Sequence, residues 1–332
     1  MSDAFVYFFA NPCFDSLQSV TLVHHNGELS IEGSRQAHIY KARELIFSES
    51  QVIATPVFRA PYSILAVMQA SLLDSEPFEQ RLEVMELRVC SRQRVLPSDF
   101  QSCLVYTWQA RLAPDWNRVA QYLFHGRDFL VNTGVQLAVE YMILATETQT
   151  TLTLAGRTIR LPRMTMADLR KSRHDRATLQ WLSAEEVPIE PLQCYVLPSM
   201  ETAIAIAVAP KVCPDCPYGR FQELKKFWKD TYGYPIPEET EGTMIYVKVR
   251  FREPRERCYV YPILCVRPTE PQPLACRNPY GIISEFLQCV ELKMSHVCGQ
   301  KFQLVSYNSA FPTLKQRWTA KDAQVGLHSQ GP

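Results

Sequence analysis

Glycine is scarce in this sequence, 12 among 332 residues. Loops that cradle phosphate depend on glycine's backbone freedom. No P-loop, dinucleotide-binding glycine fingerprint, nucleophile elbow or zinc-protease helix occurs. The shortage argues against nucleotide hydrolysis. An excess of one charge is also missing. Lys and Arg number 35 against 34 Asp and Glu, a formal net charge of +1. Whole-molecule electrostatic steering is therefore excluded, and a nucleic-acid or membrane argument must rest on local patches. Long apolar runs are absent too. Ala4 to Ala10 and Ala203 to Pro210 fall far short of the roughly 18–20 residues that span a bilayer. Asp3 precedes the first run and no basic start leads it, so it reads as a strand and not as a secretory signal. No membrane partner is expected.

Cysteine is plentiful, 11 residues. Their odd number and irregular spacing argue against a disulfide framework. Most sit beside apolar neighbours, as in Gln193-Cys194-Tyr195-Val196 and Leu264-Cys265-Val266. Free cysteine behaves as a small buried hydrophobe. A reducing compartment is expected, cytoplasm or nucleus. Hydrophobic residues make up 46% and charged residues 21%, the globular range. The length suits about two domains.

Residues 4–9 and 17–24 predict strands, and Asn26-Gly27 predicts a tight turn. A helix is predicted over 34–48, with Ser34 at its N-cap and Ala37, Tyr40, Ala42, Leu45 and Ile46 near one face. Residues 51–58 and 63–72 return to strand character. Ser75 before Glu76-Pro77 marks a helix start, and Phe78, Leu82, Met85 and Val89 follow at helical spacing. Residues 102–112 alternate, with Leu104, Tyr106, Trp108, Ala110 and Leu112 on one side, which predicts a half-buried strand. Asp115 to Phe124 predicts a short helix. Two long β-runs, 135–146 and 149–161, form a hairpin around Thr146-Glu147-Thr148-Gln149. Thr165 and Asp168 make a capping box for a polar helix to about Leu182, and Pro188 and Pro191 break the chain.

Beyond them come a strand at 193–197, an apolar helix at 199–209, and an amphipathic helix from Arg220 to Tyr232 closed by Gly233. Strands 243–252 and 257–266 join across residues 253–256. A proline-rich loop spans 268–279, a helix 280–292 and a last strand 301–307. The fold class is α+β: two mixed α/β halves with antiparallel sheets. The β-α-(α)-β-β-α-β order of the second half suggests a ferredoxin-like unit. The stretch from strand 17–24 to strand 102–112 reads in the same order. The domains are then 1–162, N-terminal α+β; 163–190, connecting helix and linker; and 191–308, C-terminal α+β. Residues 309–332, polar and without periodicity, are a disordered tail.

Ala110-Arg111-Leu112-Ala113-Pro114-Asp115-Trp116-Asn117, Gly126-Arg127-Asp128-Phe129-Leu130 and Thr146-Glu147-Thr148-Gln149 open an ordered series of phrases. Thr158-Ile159-Arg160-Leu161-Pro162, Cys194-Tyr195-Val196-Leu197-Pro198-Ser199-Met200, Tyr232-Gly233-Tyr234 and His296-Val297-Cys298-Gly299 continue it. Over residues 1–308 the series resembles the vertebrate family of human chromosome 18 open reading frame 63, which carries a domain of unknown function. The resemblance brings no activity or site residue with it. Members of that family can carry a long polar C-terminal extension. This chain stops soon after its folded part, so a function housed in such a tail is not expected of it.

Three constellations carry chemistry. Cys213-Pro214-Asp215-Cys216 is a C-x₂-C step, and zinc would need two more ligands, for which His296 and Cys298 are the candidates. Two unrelated loop cysteines and a buried Cys298 explain the same residues, and the resemblance implies a single Cys-Pro step there. No metal and no cofactor is expected. Arg157, Arg160, Arg163, Arg170, Lys171, Arg173 and Arg176 form a basic stretch, and Lys248, Arg250, Arg252, Arg255 and Arg257 a second. Lys225, Lys226 and Lys229 flank Phe227 and Trp228. Arginine beside aromatics suits phosphate contact and base stacking, while strands with alternating arginines more often present a solvated face. Asp115 or Asp128 with His125 offers a general base, against a plain reading as an arginine–carboxylate brace with Trp116 as a core anchor. No catalytic residue is assigned. The sequence thus favours a non-enzymatic module for a protein partner, with nucleic-acid binding through 157–176 and 248–257 as the alternative.

Overall fold

The computed structural model describes residues 4–24, 31–58, 62–131, 134–169, 186–210, 220–237, 244–251 and 257–306. The N-terminal elements are β1 (Phe5–Ala10), β2 (Leu17–His24), α1 (Ile31–Ser48), β3 (Ile53–Val57), β4 (Ser63–Gln69), α2 (Ala70–Leu73), α3 (Glu76–Val84), β5 (Leu87–Gln93) and α4 (Pro97–Leu112). Then come β6 (Trp116–Val119), β7 (Tyr122–His125), β8 (Val135–Ala145), β9 (Gln149–Arg160), α5 (Met166–Leu169), β10 (Val187–Val196), β11 (Glu201–Ala209), α6 (Phe221–Tyr232), β12 (Tyr246–Phe251) and β13 (Arg257–Pro262). The last are β14 (Val266–Arg267), β15 (Gln272–Leu274), α7 (Pro279–Lys293), β16 (His296–Val297), β17 (Gln300–Lys301) and β18 (Val305–Ser306).

The fold is α+β, as expected. The ferredoxin-like unit, however, lies in the first half. Strands β3-β4-β2-β5 form one antiparallel sheet in that order, the split β-α-β-β-α-β arrangement. The second half is corrected to a meander: β13-β12-β11-β10-β14, each strand antiparallel to the next. The cause is the predicted helix 199–209, where Glu201–Ala209 form β11 instead. Ala203, Ala205 and Ala207 are buried while Ile204 and Ile206 are half-buried, a period of two despite alanine's helix propensity. Pro188 and Pro191 do not break the chain. They lie in β10, at a bulge between Pro188 and Leu192, where edge backbone tolerates a missing N–H.

Two more expectations are reversed. Residues 102–112 belong to helix α4, which Pro97 opens. Trp108 packs edge-on to Tyr141 of β8, while the Thr107 hydroxyl bonds the backbone of Ala54 on β3. A helix buried on both sides is apolar all round, so its 3.6 period fades. Residues 115–124 form the β6–β7 hairpin, turned by Ala120 at φ +52. Other readings hold. Gly233 (φ +90) closes α6, Thr165 and Asp168 cap α5 reciprocally, and Thr146 N–H donates to the Gln149 carbonyl at 2.9 Å in the β8–β9 turn. The Asn26-Gly27 turn, the helix beyond 169, the 253–256 turn and the tail lie outside the described residues.

The third sheet, β18-β1-β9-β8-β7-β6, takes β15 on β9 where β1 ends. Within the C-terminal stretch, β10 to β14 carry the meander, while β15 and β18 join the sheet of β1, β8 and β9 and α7 packs against it. Gly156 of β9 stands where an added Cβ would meet the Pro279 carbonyl oxygen at 2.6 Å. The long β8–β9 hairpin serves two cores. Val139, Ile143, Ala145, Leu152 and Leu154 face α4 and α7, whereas Ala138 and Ile159 face the meander side with Phe129 and Tyr234.

Burial fixes the pH response. It pushes the Cys194 thiol up to about 11, Cys298 to about 12 and the Tyr106 hydroxyl to about 12, and it also raises Cys103 and Cys265. Unfolded thiols ionise near 9.0, so above that pH the unfolded chain sheds protons that the folded chain keeps. Stability is then present in full below about pH 9 and falls as pH rises, by about 1.4 kcal/mol per pH unit per retained proton. Arg267, lowered by burial to about 10, acts in the opposite direction above pH 10, as do Arg43 and Arg111, which burial also lowers. Melting temperature is expected to be flat from pH 7 to 8.5 and to drop between 9 and 10.5. A flat profile to 10.5 contradicts the buried thiols.

Candidate functional site

Among the described residues, a groove of about 540 Å³ lies between β10 and the chain leaving β14. Gln193 and Tyr195 form one side, and Pro268, Thr269, Glu270, Pro271, Gln272 and Pro273 the other. Both sides are set by register. Tyr195 pairs with Arg267 and Val196 with Val266, after which Pro268 ends the pairing. Gln272 then pairs with Arg160 at the end of β9. Paired residues share a face, so Val135, Arg160 and Gln272 form one row and Gln193, Ile204, Arg250 and Cys258 another. Val135 and Leu137 are 49% and 42% exposed, which makes the first row's surroundings apolar. The Gln193 amide donates to the Tyr195 hydroxyl and the Gln272 amide to the Thr269 hydroxyl, both at 3.4 Å.

The basic residues predicted from sequence divide. Arg157 is half-buried, its Nε donating to Glu140 at 2.8 Å. The Lys248 ammonium pairs with Glu186 at 3.0 Å. Arg160 and Arg163 are exposed, and Arg250 is half-buried on β12. Arg170, Lys171, Arg173, Arg176 and Arg252 lie outside the described residues. Trp228 of α6 is buried against Tyr232 and Tyr234, which removes it as a stacking platform beside Lys225, Lys226 and Lys229.

Cys213 and Cys216 also lie outside the described residues. The other two zinc candidates diverge. His296 is exposed with its Nδ1 3.1 Å from the Ser295 hydroxyl, while Cys298 is fully buried, its thiol 3.5 Å from the Val67 carbonyl. Among the described residues no three His, Cys, Asp or Glu side chains are grouped to hold a metal. Asp115 and His125 are brace residues. Asp115 meets the Lys293 ammonium at 2.6 Å and His125 meets Glu285 at 3.3 Å, both partners on α7. The brace uses lysine, not arginine, and Trp116 is a core residue at 1% exposure. The nine described cysteines are free thiols. No helix among the described residues is long and apolar enough to cross a membrane.

The family model for a domain of unknown function, DUF4708, matches residues 4–277. The chain belongs to the DUF4708 family. The match takes in all of β10 and the whole groove wall, but not α7. Among solved structures, this DUF4708 chain is similar at TM-score 0.41 and 7% identity to Marinitoga piezophila Argonaute in complex with 5′ OH guide RNA and target DNA, over 90% of this chain and 40% of that one. The same Argonaute with guide RNA alone gives 0.35 at 10% identity, over 88% and 36%. Kluyveromyces polysporus Argonaute with a guide RNA gives 0.30 at 11%, over 87% and 40%. The DUF4708 chain spans 36–40% of the length of these structures.

The groove was not legible in sequence. Its sides are about 75 residues apart, and the only local signal was the proline cluster at 268–273.

Proposed function

We propose that this chain is a non-enzymatic protein-interaction module of the cytoplasm or nucleus whose groove takes an extended polypeptide segment. The groove lining supports it most. Three prolines and Tyr195 offer rigid apolar surface that loses little side-chain entropy on contact. Gln193 and Gln272 each present both a donor and an acceptor, which matches peptide backbone. The free thiols support a reducing compartment. Within the DUF4708 family, the ordered phrases support the type of human chromosome 18 open reading frame 63.

A second reading, nucleic acid, is favoured by Arg160 and Arg250 in the two rows that flank the groove. One experiment separates them. The tagged full chain and a Gln193→Ala, Tyr195→Ala variant are used to recover partners with and without nuclease, and binding is followed against salt. Partners insensitive to nuclease and lost in the variant are expected. Recovery abolished by nuclease, with log affinity falling by about 0.7–0.9 per contact against log salt and weakened by Arg160→Glu, Arg250→Glu, gives the second reading.

A further inference from the structure

Buried donors collect where the meander meets the large sheet. Arg267 of β14, Trp228 of α6 and Tyr234 just beyond that helix are 0%, 2% and 1% exposed. Gly233 (φ +90) turns the chain at the end of α6 and brings Tyr234 back against Trp228, their ring centroids 6.3 Å apart. Phe129 joins this pair to Arg267. Its ring lies 5.7 Å from that of Tyr234, and its carbonyl accepts from one Arg267 Nη at 2.7 Å.

Each of the three keeps one buried polar atom without a hydrogen-bond partner: Arg267 Nε, Trp228 Nε1 and the Tyr234 hydroxyl. Buried polar atoms are nearly always satisfied, and an exception calls for an ion or a water. Guanidinium and indole nitrogens only donate, so the partner they need is an acceptor. The Trp228 N–H lies toward the Tyr234 oxygen but falls short of hydrogen-bond geometry, and engaging it still leaves the phenolic proton to be placed. Charge decides between water and anion. Arg267 is a whole buried positive charge. The other charged side chain acting on it is Arg163, of the same sign, and no described carboxylate does so. Burial raises Tyr234 and Cys265 above their ordinary values, so neither ionises at neutral pH to supply the counter-charge. A water would satisfy the donors and leave the charge bare, which is costly in a buried place. A small anion does both, and a monatomic one accepts from several donors without fixed lone-pair directions.

We propose that Arg267, Tyr234 and Trp228 hold a buried chloride ion, which neutralises the guanidinium and fastens the meander to the large sheet. The carbonyls of Leu264 and Phe129 occupy the two Nη groups, so Nε is the guanidinium atom left for the ion. With every member buried, the ion exchanges only when this junction opens locally. The site does not depend on the function proposed for the groove.

Urea unfolding of the full chain at low and at tenfold higher chloride, with gluconate holding the ionic strength constant, tests it. One ion bound only by the folded state raises the folded-to-unfolded ratio by about tenfold over such a range, once chloride exceeds its dissociation constant. That rise is expected in the natural sequence. Tyr234→Phe, which keeps the ring and removes the hydroxyl, is expected to cut it to about twofold or less, and Arg267→Met to abolish it. A ratio that chloride does not move in the natural sequence overturns the proposal, and a Tyr234→Phe variant less stable at both concentrations then gives the donors to a water. A rise of equal size in all three proteins also overturns it, as a general effect of salt on the surface.

Discussion

Arg267→Ala is expected to destabilise the fold by about 3–5 kcal/mol. Arg267 has no exposed surface, and no described carboxylate pairs with it. Its guanidinium instead grips backbone. One Nη donates to the carbonyls of Leu264 at 2.8 Å and Val266 at 3.2 Å, and the other to that of Phe129 at 2.7 Å. Phe129 follows β7 in the large sheet, so this side chain ties that sheet to the meander. Two costs compete. Burying an unpaired cation is unfavourable, and it lowers the group to about 10, still charged at neutral pH. Removing it strips the donors from Leu264 and Phe129, whereas Val266 keeps the Met164 N–H at 3.0 Å. A buried carbonyl left without a donor costs about 1–3 kcal/mol. Two such carbonyls outweigh the recovered charge penalty. Arg267→Met, which refills the volume without charge, is therefore expected to lose about 1–3 kcal/mol in urea unfolding. A methionine variant as stable as the natural protein would show that the burial penalty dominates.

Arg267 also shows where sequence reading stops. Nothing local separates it from Arg160 or Arg250, because its carbonyl partners include one 138 residues away. The elements themselves were legible where one face was wet. Helix α6, with Trp228 inward and Gly233 at its end, and hairpin β8–β9 with its Thr146 turn followed from period and turn chemistry. Failures fell where both faces are covered or the chain doubles back. Helix α4 lies between two sheets, so Leu104, Tyr106 and Trp108 imitate a strand. β8 changes its buried face along its length, Ala138 to one core and Ile143 to the other, which no single alternation encodes. The basic stretches read as one cationic surface because a sequence does not display counter-ions. Glu140 sits across the sheet from Arg157's strand, and Glu186 lies 62 residues from Lys248.

Trp116→Ala is expected to cost a further about 3–5 kcal/mol at an independent site. Trp116 begins β6 and is buried, with its ring 5.1 Å from Phe286 of α7 and 5.0 Å from His125. Phe286 also meets Trp108 of α4 at 5.9 Å. Helix α7 is thus wedged by its central phenylalanine between two tryptophans. Around that wedge run the Lys293–Asp115 and Glu285–His125 pairs. Relative size decides which of these holds α7. The second pair is 43% and 51% exposed, and Asp115 of the first is 52% exposed, so each contributes about 0–1 kcal/mol. The aromatic wedge contributes several times more. Trp116→Ala is therefore expected to raise amide exchange throughout α7 and lower the urea midpoint sharply, while Asp115→Asn shifts the midpoint only slightly. Trp116→Phe, keeping a ring opposite Phe286, falls between them. Should Asp115→Asn match Trp116→Ala in both readouts, the polar seam and not the wedge would be what fastens this late helix to the first half of the chain.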